Sequence, residues 1–302
     1  MYDMVELSPI ALFVYNRPEH TRRTVESLAL NFTADSSVLY VFSDAAKSDS
    51  DTVAVKEVRE YIREIKGFKK IIVIERTLNY GLAKSIIEGV TELCHKYGKV
   101  IVLEDDLETS PHFLNFMNDS LTFYADKYEV MHISGCRYPV ESFGKDETFF
   151  LHVPLCWGWA TWERAWGDFE KDVSVILKFN RSMIKHFNFD NTYNYWVQLV
   201  LNKSGKLNTW FVFWYTTLFL KRGLSLFPAR SLVQNIGIDN SGTHSGKSND
   251  YDVELSSRPI KIEAIPCVES EVGYKMHRQY FRKLKPSISQ RISRKIFRVF
   301  GL

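Results

Sequence analysis

The amino-acid sequence predicts an α/β protein whose central, mostly parallel β-sheet is flanked by helices. Three observations predict this fold class: short apolar runs typical of buried strands, longer runs with apolar residues at helical spacing, and regular alternation of the two along the first third of the chain. Strands that alternate with helices are joined by right-handed crossovers, which leave the strands parallel. With 302 residues, of which 45% are hydrophobic and 25% charged, the chain is long enough for one large domain or two small ones.

The predicted strands and helices follow one another from the N-terminus. Apolar runs predict strands over residues 9–15, 38–42, 70–75 and 99–103, and helical periodicity predicts helices over residues 19–30, 53–66 and 81–97. Polar residues come after each strand: Asn16 and Arg17, then Asp44, then Asn79 to Gly81, then Glu104 to Asp106. Because the carboxyl ends of parallel strands meet at one edge of the sheet, these polar side chains are expected to converge there.

The triplet Glu104-Asp105-Asp106 is the most informative motif in the chain. Three consecutive carboxylates at the end of a buried strand cost folding free energy unless a cation balances them. A hard divalent ion prefers oxygen ligands, and open α/β sheets bind their ligands at this edge. The motif therefore favours a metal bound together with a phosphate. The alternative is a solvated acidic cluster at the N-terminus of a helix that starts near Ser110.

The familiar phosphate-binding loops are absent from the sequence. No Gly-x-Gly-x-x-Gly follows the first strand and no Gly-x-x-x-x-Gly-Lys-Ser/Thr motif occurs, which disfavours a Rossmann dinucleotide site and a P-loop. A nucleoside diphosphate held by a metal and a few side chains remains, with Arg17 near a phosphate, Asp44 near the base or ribose and Lys84 near the diphosphate. Each residue also has an ordinary explanation, as a surface charge or, for Asp44, as the cap of a turn.

Four segments of the sequence resemble a known family. Residues 16–28, 43–47, 76–86 and 102–114 resemble the nucleotide-binding half of GT-A fold glycosyltransferases. The resemblance is to bacterial sugar transferases related to the animal Golgi N-acetylglucosaminyltransferases that start complex N-glycans. In that family a Glu-Asp-Asp triplet replaces the common Asp-x-Asp motif.

The resemblance implies a role for each member of the acidic triplet. By position, Asp106 would bind the metal, Mn²⁺ or Mg²⁺, Asp105 would contact the ribose, and Glu104 would lie near the donor sugar. The resemblance also implies further nucleotide-sugar-binding residues, which are Arg17, Asp44, Asn79, Gly81 and Leu82.

The resemblance continues to about residue 246. Residues 154–162 resemble the family's Gly-Trp segment beside the donor sugar and the acceptor, and Trp159 is expected to contact the donor. At most one or two of the nearby tryptophans are expected against a sugar and the others in the core; these are Trp157, Trp159, Trp162 and Trp166. The Gly- and Ser-rich residues 231–246 resemble the segment that closes over the donor, which implies that His244 approaches the metal.

An inverting transfer needs a base for the acceptor hydroxyl. The family places an aspartate in a Trp-Asp-Asp-Trp-like segment, but the matching residues 209–214 contain no carboxylate. Asp239 in the closing segment, Glu163 beside the tryptophans and Asp190 before an aromatic stretch are the candidates. Asp239 is preferred because its segment is expected to lie over the donor.

The C-terminal region is strongly basic. Nine Lys and Arg residues and no acidic residue follow Glu271. From Ile288 onward, apolar residues recur at helical spacing with basic residues between them, which predicts a basic amphipathic helix. Such a helix suits an anionic membrane surface or the protein's own core, and the pattern favours neither. Nucleic acid is disfavoured as a partner because the rest of the chain is acidic and has no reading motif.

The sequence predicts a cytoplasmic protein, peripheral on the inner face of the cell membrane if the tail binds there. No apolar run reaches the roughly 20 residues that span a bilayer, and the N-terminus has no signal-peptide pattern. The four cysteines are widely spaced, so the sequence does not support a disulfide framework or a zinc knuckle.

Together these features predict a metal-dependent glycosyltransferase that moves a GlcNAc-like or other hexose from a UDP-sugar to a glycan or lipid-linked saccharide in surface polysaccharide synthesis. Residues 1–108 would form the nucleotide-sugar half, residues 109–250 the acceptor half of the same GT-A domain, and residues 251–302 an extension with the basic tail. Two alternatives stay open: a non-catalytic glycan- or membrane-binding relative, and a sugar-phosphate nucleotidyltransferase. The second is disfavoured because residues 10–20 lack the Gly-rich loop of such enzymes.

Overall fold

The structure is a computed structural model that describes residues 6–140, 147–239 and 249–284. The strands in these ranges are Ile10–Val14 (β1), Val38–Ser43 (β2), Lys70–Glu75 (β3), Lys99–Glu104 (β4), Leu107–Thr109 (β5), Val130–Ser134 (β6), Thr148–Leu151 (β7), Trp159–Trp162 (β8), Leu224–Pro228 (β9) and Val233–Asn235 (β10). The α-helices are Pro18–Ala29 (α1), Thr52–Ile62 (α2), Gly81–Tyr97 (α3), Phe113–Phe123 (α4), Glu163–Trp166 (α5), Arg181–Phe187 (α6), Tyr195–Lys203 (α7), Phe211–Lys221 (α8) and Glu271–Leu284 (α9).

Eight of these strands form one sheet in the order β3-β2-β1-β4-β8-β6-β9-β7. The strands β3, β2, β1 and β4 are parallel, and β6 and β9 run in the same direction because β8 is antiparallel to both β4 and β6. Only β8 and β7 are reversed within this sheet. The predicted fold class, α/β with a central, mostly parallel sheet flanked by helices, is confirmed. The short strands β10 and β5 form a separate antiparallel pair.

Local sequence signals explain where the helices of the first half begin and end. Pro18 occupies the first turn of α1, where its missing N–H costs nothing. Gly98 ends α3 in the left-handed conformation, with φ of 72°, and its N–H bonds to the carbonyl of Cys94. This cap turns the chain directly into β4, so the acidic triplet is carried by a strand whose start is fixed.

The hydrophobic core lies on both faces of the sheet. Alternate residues of β1 point to opposite sides: Leu12 packs with residues of α1 and α2, and Phe13 packs with residues of α3. The helices α1 and α2 therefore cover one face and α3 the other. The chain leaves β1 through a helix on one face of the sheet and enters β4 from a helix on the other face. The boundary between β1 and β4 is therefore a topological switch point, the place where open α/β sheets bind ligands.

The four tryptophans of residues 157–166 are mostly core residues, as predicted. Trp162 and Trp166 are buried, and only Trp157 is partly exposed. The prediction that Trp159 contacts the donor sugar is wrong, because its side chain has no exposed surface. Its ring lies stacked between His132, at 5.3 Å, and Trp210, at 5.2 Å. The strand β8 has neighbours on both sides and all four of its residues are buried, so the Trp159 indole has no face open to a ligand.

Helix α9 packs its apolar face on the protein's own core. Tyr280 and Phe281 are buried against Tyr138, with ring centroids 5.4 Å and 4.9 Å apart. The predicted basic amphipathic helix from Ile288 lies outside the described residues. No described helix is long and apolar enough to span a bilayer.

Two buried histidines link the stability of this fold to pH. The His132 ring accepts a hydrogen bond from Trp214 Nε1, at 3.1 Å, and its Nε2 lies 3.1 Å from the carbonyl of Leu155. In α9, His277 lies 2.8 Å from the carbonyl of Gly273. Burial lowers the pKa of His132 to about 3 and that of His277 to about 4. Both rings are therefore neutral in the folded protein at neutral pH.

His277→Phe is expected to destabilise the protein less in acid than at neutral pH. At a pH below the unfolded pKa of about 6.5, the unfolded chain gains a proton on His277 that the folded protein does not take up. The free energy of unfolding therefore decreases as the pH is lowered. Phenylalanine removes this effect, so the destabilisation measured by urea unfolding at a pH of about 5.5 should be smaller by about 1.4 kcal/mol than at a pH of about 7.5. Comparison with the unmodified chain cancels the contribution of every other group. Equal destabilisation at both pH values would contradict the prediction.

Candidate active site

The polar residues that follow β1 and β4 meet at the switch point. Arg17, at the start of α1, reaches across from β1 to the end of β4, where its Nη1 donates to Asp106 Oδ2 at 2.8 Å. Tyr15 N donates to Asp105 Oδ2 at 3.2 Å. The predicted convergence of Arg17 with the acidic triplet is therefore confirmed, over a sequence separation of 89 residues.

Asp44 joins the end of β2 to the start of α3. Its Oδ1 accepts from the N–H groups of Ala45 and Tyr80, and its Oδ2 accepts from Gly81 N at 2.8 Å and from Asn79 Nδ2 at 3.2 Å. The carboxylate thus balances the positive end of the α3 dipole and is 6% exposed. Contact of Asp44, Asn79 and Gly81 with a nucleotide stays a prediction, and in this structure their side chains and amides hold one another in place.

Leu82 and Lys84, the other two predicted donor-binding residues, lie on the first turn of α3. Leu82 is exposed at 50%. The Lys84 ammonium lies 3.9 Å from the ring centre of Tyr80 and 3.6 Å from Glu88. Both side chains face solvent at the carboxyl edge of the sheet, and their predicted roles stay untested.

Arg59 of α2 fixes the same edge and was not predicted. Its Nη2 donates to the carbonyl of Arg76 at 2.7 Å and to that of Asp44 at 3.3 Å. These carbonyls belong to the residues just after β3 and β2, so one guanidinium ties the two strand ends together. No short-range pattern marks this role, because it depends on α2 crossing over both strands.

The negative charges of the acidic triplet are unfavourable in this structure, because the carboxylates are buried and repel one another. Burial raises the pKa of Glu104 to about 8, and the negative charges of Asp106 and Asp105 add to the rise. Burial likewise raises the pKa of Asp105 to about 7. The pKa of Asp106 is raised by burial against the opposing effect of Arg17. The positive charge of Arg17 opposes the rise in pKa of all three side chains, and within the triplet Arg17 forms its ion pair with Asp106.

The chemistry of this donor set fits a hard divalent cation. Three partly or fully buried carboxylates share one guanidinium, and no described residue donates a hydrogen bond to the Glu104 carboxylate. Within the described ranges, however, no three His, Cys, Asp or Glu side chains are arranged to hold a metal by themselves. A metal here would need oxygens from a bound ligand. His244, the other predicted metal ligand, lies outside the described residues.

The segment after β10 covers the acidic triplet. Strand β10 pairs with β5, which directly follows the triplet, and Ile236 N donates to the carbonyl of Asp106 at 2.8 Å. Gly237 lies so close to Asp106 that a Cβ on it would overlap Oδ2 and lie 2.9 Å from Arg17 Nη1. This contact explains why a glycine occupies the position, since any side chain would displace the two charged groups.

Gly237→Ala is expected to lower turnover about ten- to hundredfold, because the added methyl group moves either the segment or the Asp106 carboxylate away from its present position. Steady-state release of nucleotide from the donor measures this effect. Gly167→Ala is the matched control, since Gly167 lies at the opposite edge of the sheet and its added Cβ would meet only the carbonyl of Glu163, at 3.1 Å. Unchanged turnover in Gly237→Ala would show that the contact with Asp106 has no functional consequence.

Of the three predicted base candidates, Asp239 lies at the acidic triplet. Its carboxylate is 44% exposed and lies 3.7 Å from Arg17 Nη2 and 3.1 Å from His20 Nε2. Arg17 therefore connects Asp239 with Asp106. The contact with His20 was not predicted, although His20 lies three residues after Arg17 and so on the same face of the first turn of α1.

The structure disfavours Glu163 as the base, whereas a role of Asp190 as the base stays an untested prediction. Glu163 follows β8, whose residue Trp162 pairs with Lys99 at the amino end of β4. Because Lys99 and Glu104 are five residues apart on β4, Glu163 lies roughly 17 Å from the triplet along the strand. Asp190 is tied to α9 by an ion pair of 3.0 Å with Arg278.

No protein-family model and no curated protein matches this sequence. Solved structures are similar to it, and three of them are the following. The S. aureus protein TarS aligns at 15% identity over 46% of this chain and 24% of its own, with a TM-score of 0.32. The mannosyltransferase PcManGT from Pyrobaculum calidifontis, solved with GDP-Man and Mn²⁺, aligns at 10% identity over 72% of this chain and 70% of its own, with a TM-score of 0.39. Mouse xyloside xylosyltransferase 1 aligns at 13% identity over 70% of this chain and 80% of its own, with a TM-score of 0.35.

This chain thus spans about a quarter of the TarS chain and most of the other two. Each identity is below 25% and each TM-score below 0.5, so these similarities do not by themselves define an activity for this chain.

Proposed function

We propose that this protein is a metal-dependent glycosyltransferase that transfers a hexose from a UDP-sugar to a glycan or lipid-linked saccharide. One observation carries the proposal: the carboxylates of Glu104, Asp105 and Asp106 meet Arg17 and Asp239 at the switch point between β1 and β4. This is the edge where an open α/β sheet binds a nucleotide, and the excess of negative charge there matches a cation with a diphosphate.

The proposed roles follow the positions of the side chains. Asp106 would hold Mn²⁺ or Mg²⁺, and the bound metal would offset the charge that develops on the leaving diphosphate. Asp105, which Tyr15 N holds in place, would bind the ribose, and Glu104 would face the donor sugar. Asp44, Asn79 and Gly81 would shape the nucleotide pocket as one hydrogen-bonded unit.

Arg17 and Asp239 would act on the reacting groups. The guanidinium of Arg17 lies between the two aspartates and would donate hydrogen bonds to a phosphate, as arginine does wherever planar recognition of an oxyanion is needed. The Asp239 carboxylate would accept the proton of the acceptor hydroxyl while that oxygen attacks the anomeric carbon and the bond to the diphosphate breaks. His20 would position Asp239 through their contact of 3.1 Å.

A binding experiment tests the donor. The purified chain is titrated with UDP by calorimetry in the presence of Mn²⁺, of Mg²⁺ and of a chelator, and UDP-sugars are then screened by release of UDP. We expect UDP to bind with either metal, to bind much more weakly with the chelator, and one UDP-sugar to be turned over. Absence of UDP binding with both metals would overturn the proposal.

The UDP-release screen, together with an assay of pyrophosphate release, separates the two alternative functions. A non-catalytic relative would bind UDP and a UDP-sugar but release no UDP with any acceptor tested. A nucleotidyltransferase would consume a sugar phosphate and a nucleoside triphosphate and release pyrophosphate. The position of Asp239 beside the acidic triplet favours the glycosyltransferase over the non-catalytic relative. It offers a carboxylate as the base, which residues 209–214 do not contain.

A further inference from the structure

Two adjacent elements in the second half of the chain form one outer surface. They are the 3₁₀ helix Val173–Lys178 and α7. They run side by side in opposite directions, because Phe179 packs on Trp196 at the start of α7, with ring centroids 5.2 Å apart, and Lys171 donates to Asn208 beyond its end. Their outer faces therefore adjoin, and we call them together the α7 surface (residues 173–178 and 195–203).

Large apolar side chains on the α7 surface face solvent. They are Leu177, which is 80% exposed, and Val173, Val197 and Val200, which are 36–43% exposed. Val197 and Val200 are three residues apart and so share one face of α7, whereas Leu199 on the opposite face is buried in the core. Single exposed apolar residues are ordinary, but a group of four on two adjacent elements is typical of a binding surface.

Lysines surround these apolar side chains. Lys178 directly follows Leu177, and Lys203 lies three residues after Val200, beside it on the surface of α7. Two further lysines, Lys171 and Lys206, flank the two elements, and all four lysines are exposed. In the part of the chain that the structure describes, none of the four forms an ion pair with a carboxylate.

Two carboxylates near the α7 surface balance only part of this charge. Asp172 caps the 3₁₀ helix by accepting from Ser174 N at 2.8 Å, and it also attracts Lys178. Glu170 is exposed just before Lys171. The third acidic residue of this region, Asp190, is paired with a residue of α9.

Helix α6, which packs on α7, adds two exposed basic residues, Arg181 and Lys185. Residues 170–206 therefore hold six lysine and arginine residues against three acidic ones, one of which is neutralised from outside the range. The α7 surface and its surroundings thus carry a net positive charge after every carboxylate of this segment is counted.

This charge distinguishes between the partners that could cover the apolar group. The chain's own residues 285–302 are basic and contain no acidic residue, and a second copy of the chain would bring the same lysines, so the α7 surface repels both. Apolar side chains edged by lysines suit an anionic lipid bilayer. The ammonium groups interact with the headgroup phosphates while the apolar side chains enter the boundary of the acyl chains.

We infer that the α7 surface binds an anionic lipid bilayer. The Tyr195 hydroxyl, at the start of α7, interacts with that of Tyr138, which follows β6 at the same edge of the sheet as the acidic triplet. A docked protein would therefore hold this edge close to the membrane. Only the consequence for the acceptor rests on the proposed function: it favours a lipid-linked saccharide.

Sedimentation with lipid vesicles tests the inference. The full chain is mixed, without nucleotide, with vesicles of phosphatidylcholine and phosphatidylglycerol in equal parts, and vesicles of phosphatidylcholine alone are the reference. Each lysine near an anionic surface contributes about fivefold in affinity, so binding to the neutral vesicles is expected to be more than about tenfold weaker. Added salt should weaken the binding to the anionic vesicles.

Two variants assign the binding to the α7 surface. Lys203→Gln should weaken binding to the anionic vesicles about fivefold, and Leu177→Ser about tenfold, because a leucine side chain no longer enters the bilayer. Lys66→Gln after α2 and Leu30→Ser after α1 are the matched controls, at exposed positions in the first half of the chain. All four variants should keep UDP binding with Mn²⁺.

Three results would overturn the inference. The first is no binding to the anionic vesicles. The second is equal binding by both variants and their controls, which would leave the C-terminal tail as the part that binds the membrane. The third is weaker binding in Lys203→Gln but not in Leu177→Ser, which would indicate an acidic macromolecule as the partner. Because the vesicles are tested without nucleotide, none of these results affects the donor assignment, and absence of UDP binding would not affect the bilayer assignment.

Discussion

Asp106→Asn is expected to abolish metal-dependent binding of the donor and to lower turnover about a hundredfold or more. The amide keeps the size of the side chain and its contact with Gly237, but it removes the negative charge that would hold the metal. Removal of one group that stabilises charge in a transition state costs about a hundred- to a thousandfold in other enzymes. UDP calorimetry with Mn²⁺, together with the rate of UDP release, measures both effects.

The fold is expected to survive this substitution. The substitution exchanges one carboxylate for an amide in a site crowded with negative charge, and the main-chain bond from Ile236 N to the Asp106 carbonyl does not depend on the side chain. Asp126→Asn, at an exposed position after α4, is the control for loss of one negative charge. Metal-dependent turnover that equals that of the control would exclude Asp106 as the metal ligand.

Asp239→Asn is expected to lower the rate of transfer about a hundredfold or more while UDP binding in the presence of metal is kept. A positioned general base contributes about 10²- to 10⁴-fold, and the asparagine amide cannot accept a proton. Asp239 lies 3.7 Å from Arg17 Nη2, whereas Asp106 is bound to Arg17 Nη1, so the metal and the diphosphate should bind as before. Single-turnover measurements with a saturating donor separate the chemical step from binding.

The pH profile distinguishes a base from a merely structural residue. Loss of the Asp239 carboxylate is expected to remove the acidic limb of the profile of turnover against pH, whereas a structural role would lower the rate equally at all pH values. His20→Gln keeps a polar partner for Asp239 and is expected to reduce the rate less than Asp239→Asn. An undiminished rate in Asp239→Asn would exclude it as the base.

Most of the first half of the fold was predictable from the sequence. The bounds of β3 and α3 agree with the predicted ones, and those of β1 and α2 differ by a few residues at the ends. These elements have a strong period of their own and clear ends, such as the glycine after α3. The strands β5 to β10 were not predicted. They have only three to five residues and take their structure from long-range pairing.

The candidate site was predictable where it depends on the ends of parallel strands. Arg17 and Asp106 follow the carboxyl ends of two strands, β1 and β4, that are neighbours in the sheet, so their meeting follows from topology. Trp159 was assigned wrongly because the sequence does not distinguish a tryptophan buried in the core from one that stacks on a sugar ring. The contacts of Gly237 and His20 depend on where β10 pairs, which no local pattern encodes.

The Arg17–Asp106 ion pair has a consequence for the energetics of the proposed reaction. If Asp106 binds a metal, its bond to Arg17 Nη1 is given up, and that side of the guanidinium becomes available to the phosphates beside it. Each ligand then favours the binding of the other, and this coupling is reciprocal: the nucleotide must raise the affinity for the metal by the same factor by which the metal raises the affinity for the nucleotide. One arginine would thereby prevent either ligand from binding tightly alone, so that the charged site fills only when both components of the donor complex are present.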